Sequence, residues 1–453
     1  MAASKGWSCH AHSLRIFPDT VAPVVISSSE PELAPPFVAH GEQTITLDRR
    51  SFVATAASLA AAAMSAPVAA NVPPPPRIVR ADDPLGVRDD FPIVKSQTFL
   101  NSAYIAPIPK QVVAAGVAFL EEKANNSFQL GPLLRKCDEV RAQFARLINA
   151  ASPDEIGLLF ATGEGENVVA AGLDLKAGDN IVIDELHYDT EFVLYRTLEK
   201  TKGVQLRIAK HRNGVVDATD IEPLVDTRTR LVSVAWVSHR NGLRQDMRSV
   251  ADVAHAKGAL FYTDAIQAVG SFPIDVQAAG VDFLCAGSYK WLLAGWGVAP
   301  FYARSDVSHR LTLDRFGEMN GREQPDHSFA IETNAKRFDY CSRAFGDVYA
   351  LSAGLSYLEQ VGVERIEELT VNGLARRLQG GLSQQGHRLF TPMGNRSSIV
   401  TAYMTRPAAE VRAAFDAAKV EVTIRDGSIR IAPALFNNSE DIDRCLDVTK
   451  RLV

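Results

Sequence analysis

A chain of 453 residues has room for two ordinary domains, or for one large α/β domain with a satellite. Its 46% hydrophobic and 22% charged residues are the composition of a soluble globular protein. The net charge of −5 argues against a nucleic-acid binder, which needs a basic surface to neutralise phosphates. No fixed-period repeat marks a solenoid or propeller. The five cysteines (Cys9, Cys137, Cys285, Cys341, Cys445) are scattered without a C-x-x-C pair, which gives neither a zinc site nor a disulfide framework.

In chain order, the first region reads as an address. Asp48-Arg49-Arg50-Ser51-Phe52-Val53 precedes a weakly apolar, alanine-rich run that ends near Ala66. Val68-Ala69-Ala70 then offers small residues for cleavage, and Asn71 to Pro76 is a proline-rich linker. This order resembles a bacterial twin-arginine signal cleaved near Ala70, which implies a periplasmic protein; without a working signal the protein would be cytoplasmic. The run is too short and too alanine-rich for a stable membrane span. About 47 residues, rich in Ser, Pro and Ala, precede the arginines and read as a disordered leader or an over-extended start. Residues 1–70 are therefore assigned to leader and signal, and 71–90 to a linker.

From Ile156 onward, short apolar runs alternate with helical patterns. Strands are expected at Ile156–Ala161, Asn180–Asp184, Gln205–Ala209, Arg230–Val237, Ala259–Asp264, Phe283–Gly287 and Val298–Tyr302. Amphipathic helices are expected between several of them, as at Asp189–Thr201 and Met247–Ala256. Such alternation predicts an α/β fold with a mostly parallel seven-stranded sheet covered by helices. After about Cys341 the pattern changes to helices near Asp347–Gln360 and Val363–Gln384, then a hairpin, Val420–Ile424 with Ser428–Ala432, turned by Asp426-Gly427. The expected division is an N-terminal segment (91–110) that packs on the small domain, a large domain (111–340) and a smaller C-terminal α+β domain (341–453).

In open parallel sheets, ligands bind at the carboxyl ends of the strands. Thr162-Gly163-Glu164-Gly165-Glu166-Asn167 sits at one such end and opens a helix, where free N–H groups and the helix dipole can face an anion. A flexible turn explains the glycines equally well. Asp264 ends an apolar strand, where a buried carboxylate needs a cation or donor; the bland reading is a helix N-cap. Lys290, in Ser288-Tyr289-Lys290-Trp291, is wedged among aromatic and apolar residues that disfavour its ammonium form. Arg430 alternates with Ile429 and Ile431, so it faces away from that apolar pair and is suited to bidentate capture of a carboxylate. Alone, it reads as an exposed arginine on a half-buried hairpin.

A glycine turn, an aspartate, a lysine about 26 residues further on and a late arginine together resemble the class V aminotransferases of fold type I, enzymes that use pyridoxal 5′-phosphate (PLP). Relatives in this family include cysteine desulfurases, isopenicillin N epimerase and kynureninase. The resemblance runs from Phe99 to the C-terminus and is strongest over Val232–Tyr302. It implies that Lys290 is the Schiff-base lysine and that Asp264 keeps the pyridine nitrogen protonated. It implies that Gln267 and His239 lie near the ring's 3′-oxygen, and that Ser288 is a phosphate ligand. Ring stacking falls to Tyr188, with His187 as second choice. Arg430 matches the arginine that holds a substrate α-carboxylate.

The chain departs from the family in two phosphate-binding places. Gly163-Glu164-Gly165-Glu166 stands where relatives read Gly-Ala-Thr-Glu, so the threonine hydroxyl is lost. Ser342, in Arg337-Phe338-Asp339-Tyr340-Cys341-Ser342, stands for a threonine that crosses a dimer interface, which implies a homodimer with shared active sites. Desulfurases carry a sulfur-accepting cysteine shortly after the arginine, and none follows Arg430 before Cys445, so that activity is disfavoured.

The resemblance implies an enzyme acting on an amino-acid-type small molecule, with transamination first. Epimerisation and C–S lysis come next, then modification of a siderophore in the periplasm. A non-catalytic PLP carrier or regulator is the reading from another class, and a nucleotide-binding oxidoreductase lacks G-x-G-x-x-G after the first strand.

Overall fold

The seven apolar runs become one sheet in the computed structural model, which describes residues 77–425 and 427–452. The paired arginines, the cleavage site and Asp426 of the expected hairpin turn lie outside the described residues. The strands are β2 (Ile156–Leu159), β3 (Asn180–Asp184), β4 (Gln205–Ala209), β5 (Thr229–Ala235), β6 (Leu260–Asp264), β7 (Phe283–Cys285) and β8 (Ala299–Ala303), after a short β1 (Thr98–Phe99) outside this sheet. Their order is β2-β8-β7-β6-β5-β3-β4. Only β8 runs against its neighbours; the pairs among β3 to β7 are parallel.

Continuous apolar runs are what a parallel sheet covered on both faces requires. Val182 and Val232 enter one hydrophobic cluster, while Ile181, Ile183 and Leu231 enter another on the opposite face. Helices α2 (Leu130–Leu147), α3 (Thr162–Gly172), α4 (Asp189–Lys202), α5 (Met247–His255) and α6 (Phe345–Val361) cover the two faces, and α1 (Lys110–Asn125) packs on α6. Phe144 of α2, Val250 of α5 and Leu351 of α6 join the first cluster, and Val169 of α3 and Tyr195 of α4 join the second. Each fully buried side chain of this size contributes about 1.5–3 kcal/mol relative to exposure.

A third cluster lies beneath a second, three-stranded sheet. It follows a hairpin, β9 (Gly321–Glu323) with β10 (Phe329–Ile331), and is built from β11 (Val400–Tyr403), β13 (Thr423–Arg425) and β14 (Ser428–Ile431). The expected first hairpin strand divides at Val422. Its beginning, β12 (Val420–Glu421), leaves the hairpin and pairs in parallel with β1, and Leu100 just after β1 joins the third cluster. The expected helix over Val363–Gln384 is helical throughout, but Glu368–Ala375 is wound as a π-helix.

The small sheet revises the plain reading of Arg430. Strand β14 is central, and the face opposite Ile429 and Ile431 is covered by the His239–Arg240 segment, whose carbonyls accept from Arg430 Nη1 (2.7 Å) and Thr401 Oγ1 (2.8 Å). Arg430 is only 5% exposed.

No helix among the described residues is long and apolar enough to cross a membrane. The described cysteines are free thiols, with Cys341 exposed and Cys137, Cys285 and Cys445 buried.

Candidate active site

The carboxyl ends of β2, β5, β6 and β7 point the same way, and register sets Ala235, Asp264 and Cys285 side by side at that end. A cavity of about 230 Å³ opens there. Gly163, Tyr188, His239, Asp264, Gln267 and Lys290 all line it, so one wall gathers six of the residues singled out from sequence. A second compartment of about 330 Å³ adjoins it and shares Tyr188, His239, Tyr289 and Lys290. Arg430 lines this outer space together with Tyr104, Trp296 and Arg425.

Lys290 stands between the two. The turn after β7 is closed by Ala294 N–H donating to the Ser288 carbonyl (3.0 Å) and Leu293 N–H to the Lys290 carbonyl (3.0 Å). Leu293 takes a left-handed conformation, φ +59°, which a side chain with a Cβ adopts at a cost of about 1–2 kcal/mol. Burial depresses the Lys290 ammonium to about 8 against the pull of Asp264, and Arg430 pushes the same way as burial. About a tenth of this amine is therefore uncharged at pH 7, and most of it above pH 8, able to act as a nucleophile.

Asp264 ends β6, and its Oδ1 accepts the Ile266 N–H at 2.9 Å. Burial raises its pKa above the usual range, opposed chiefly by that hydrogen bond and by His187. No lysine or arginine pairs with it among the described residues, so its charge calls for a cationic partner within the cavity. Gln267 is fixed at both ends: Nε2 donates to the Ala103 carbonyl (2.8 Å), and Oε1 accepts Trp291 Nε1–H (2.9 Å). His239 is buried with neither ring nitrogen hydrogen-bonded, and Asp189 Oδ2 lies 3.5 Å from Nε2. Burial lowers its pKa to about 4, despite Asp189, so the ring is neutral near pH 7.

Tyr188 and His187 separate cleanly. Tyr188 lines both compartments and meets His239 edge-on at 5.1 Å. His187 points into the protein, with Nε2 2.9 Å from Ser233 Oγ and 3.3 Å from Glu166 Oε1. Burial opposes its protonation, but Glu166, then Asp184 and Asp264, outweigh burial and lift it to about 9. Its Nδ1 meanwhile accepts the Tyr188 N–H at 2.7 Å, which only an unprotonated Nδ1 can do. That hydrogen bond belongs to the neutral Nε2–H ring, so the pull of Glu166 toward a second proton is opposed by the Tyr188 backbone as well as by burial.

At the start of α3, the N–H groups of Thr162 and Gly163 precede the first helical bond, which begins with Glu164 N–H to the Ala161 carbonyl. Both residues line the inner cavity. A Cβ at Gly163 would meet nothing nearer than Glu191 Oε1 at 3.7 Å, so the free space beside it belongs to the cavity. Gly165 differs. A Cβ there would lie 2.5 Å from Cys285 Cβ, so the helix touches the sheet where relatives carry threonine. Glu164 turns away, its Oε2 accepting Phe160 N–H (2.6 Å) and Oε1 pairing with Arg315 (3.0 Å).

Ser288 and Ser342 stand outside the inner cavity. Ser288 Oγ lies 2.6 Å from the Gly295 carbonyl and 2.7 Å from that of Val298, so its proton is committed to that loop. Ser342 is exposed and its hydroxyl donates to Glu318 Oε1 at 2.9 Å.

Several cavity residues escaped the sequence reading. Glu191 lines the inner wall, held in its neutral form by burial and by Glu166 and raised to about 10. Glu166 is kept anionic by donors from His187, Ser233 and Tyr195. A signal existed: Glu166 follows the glycine turn in a helix that is otherwise apolar on its buried side. Tyr289 stacks on exposed Trp296 at 5.2 Å and walls the outer space. Tyr104 belongs to the N-terminal segment, drawn in by the Gln267–Ala103 bond and by Ala106 N–H to the Tyr289 carbonyl (3.2 Å).

A parallel sheet carrying an aspartate, a lysine and an open helix N-terminus at its strand ends defines a fold type I PLP-dependent enzyme. The class V aminotransferase model matches residues 98–441, and the chain belongs to that family, with PLP as its cofactor. It is 32% identical over 288 residues to a probable cysteine desulfurase of Methanothermobacter thermautotrophicus, covering 62% of this chain and 72% of the relative. It is 27% identical to an uncharacterised aminotransferase, YcbU, of Bacillus subtilis, covering 80% and 95%. Its fold superposes on the apo cysteine desulfurase of Thermococcus onnurineus with a TM-score of 0.74 at 24% identity, covering 83% and 99%. The cystine C–S lyase C-DES in complex with cysteine persulfide gives 0.74 at 18%, covering 80% and 99%.

Proposed function

We propose that this protein is a PLP-dependent aminotransferase acting on an α-amino acid or an amino-acid-containing metabolite, with Lys290 as the covalent anchor of the cofactor. One observation carries the reading. Across one cavity, a buried amine of depressed pKa faces a buried guanidinium with no carboxylate partner among the described residues.

The inner cavity fits PLP through its unspent groups: two open N–H donors, an unpaired carboxylate and an unpartnered imidazole. When bound, PLP supplies an electron sink that makes the substrate Cα–H acidic. Thr162 and Gly163 N–H would receive the phosphate. Asp264 would hold a proton on the ring nitrogen, Tyr188 would cover one ring face, and His239 and Gln267 would border the 3′-oxygen. Arg430 already donates to the His239 carbonyl (2.7 Å) and Thr423 Oγ1 (3.2 Å), which fixes its fork, while its Nε has no partner. A substrate α-carboxylate held there would bring Cα toward Lys290, which lines the same compartment and whose Nζ would move the proton on that carbon.

The same proposal includes export by the twin-arginine route and a homodimer in which Ser342 serves the site of a second copy. A second reading, C–S lysis, is favoured by the names of the relatives; among the described residues no cysteine lines either compartment to accept sulfur.

The test is an absorbance spectrum of the purified protein before and after borohydride, beside Lys290→Ala. A visible band bleached by reduction, and missing as that linkage in the variant, supports the anchor. Adding amino acids then separates the branches: a keto acid with amino transfer marks a transaminase, sulfide release a lyase, and inversion alone an epimerase. A PLP-supplemented parent with no band and no reducible linkage would overturn the proposal.

A further inference from the structure

The outer compartment is unbalanced in charge. Lys290, Arg425 and Arg430 line it, and no aspartate or glutamate does among the described residues. Neither arginine has a carboxylate within salt-bridge distance among those residues. Their common direction follows from register: Thr423 pairs with Arg430 and Arg425 with Ser428, so Arg425, Thr423 and Arg430 share one face of the small sheet as diagonal neighbours. Arg425 is close enough to lower the basicity of both Arg430 and His239. Two like charges held at such range repel each other, and an anion between them relieves that repulsion.

An amino acid bound through its α-carboxylate satisfies only one of them. Its amino group belongs at Lys290, and Arg430 is the buried fork fixed by His239 and Thr423. Arg425, exposed at the mouth, is left for whatever the side chain carries. We infer that Arg425 selects substrates with a second anionic group, and that the preferred substrate is a dicarboxylic amino acid or its keto acid. This rests on the aminotransferase reading above and names the substrate class for it.

The experiment uses the PLP-loaded protein and Arg425→Gln, with Arg425→Lys as the conservative partner. Calorimetry measures binding of unreactive succinate and glutarate against butyrate. Turnover compares glutamate with glutamine and aspartate with asparagine. In the parent, the dicarboxylates should bind at least about tenfold more tightly than butyrate, as a desolvated charge-assisted hydrogen bond allows. Arg425→Gln should erase that preference and lower the acidic-to-neutral ratio of kcat/KM by about tenfold or more, and Arg425→Lys should restore part of it. Equal affinities in the parent, or a ratio untouched in Arg425→Gln, overturns the inference. Keto-acid formation with amino transfer separates the two failures: where the parent shows the band and that transfer, only the role of Arg425 falls, whereas without the transfer the aminotransferase reading falls first.

Discussion

The two compartments that meet at Lys290 are built in opposite ways. The inner one is carved from the ends of sheet strands, and its fixed charge is acidic, with Asp264 on the wall and Glu166 behind it. The outer one is assembled from the Asn101–Ile105 stretch, the Tyr289 and Trp296 loops and the small sheet, and its charge is cationic. An acid at one end and two guanidinium groups at the other would orient a bound zwitterion-like assembly with its cationic end inward and its carboxylate outward. On the proposed function, the half built on the sheet would set where the cofactor reacts, and the composite half what reacts with it.

The sharpest way to break that division is Arg430→Gln. Removing one side of a buried, charge-assisted contact costs about 2–5 kcal/mol, so kcat/KM should fall by about thirtyfold or more. The cofactor band should survive, because Arg430 does not line the inner cavity. Loss of the band together with activity would show that the two compartments are one structural unit.

The inner compartment was also the more legible. Asn180–Asp184 and Gln205–Ala209 form strands with the same ends read from their apolar runs, because each is a short stretch between turn residues. Asp264 ends such a run and Lys290 comes in the turn after another, so finding the strands also finds the site. Arg430 was harder. Its burial depends on the His239–Arg240 segment lying over its face of the small sheet, a contact between segments whose sequences say nothing of each other. The division of labour between His187 and Tyr188 could not be read from adjacent positions, since it depends on Ser233 and Glu166, supplied by β5 and α3. Tyr104 and Arg425 were missed for the same reason: the outer wall exists only once distant segments meet.

A smaller effect sharpens the comparison from the inner side. Gly165→Ala places a Cβ against Cys285 Cβ, with Phe301 also within 3.3 Å. Overpacking of this kind costs about 1–3 kcal/mol and should lower the denaturant midpoint without changing its slope. Cys285→Gly in the same chain should recover part of the loss, and the non-additivity of the double-mutant cycle measures the contact. If Gly165→Ala is neutral, the helix is free to shift, and the missing threonine hydroxyl has no steric explanation.

The mildest effect is a pH profile, and its sign tests whether the two compartments act on Lys290 as opposing charges. The folded amine titrates near 8, so it is mostly charged and unreactive below that pH and mostly neutral above it. The rate of PLP incorporation into apo-protein should rise roughly tenfold from about pH 7 to about pH 9 and then level off. Arg430→Gln removes a positive neighbour that disfavours the ammonium, so the midpoint should move up. Asp264→Asn removes the negative neighbour that favours it, so the midpoint should move down. Shifts in those two directions show Lys290 held between an acidic and a cationic field. A parent midpoint in the ordinary lysine range would mean that water reaches the amine and screens both.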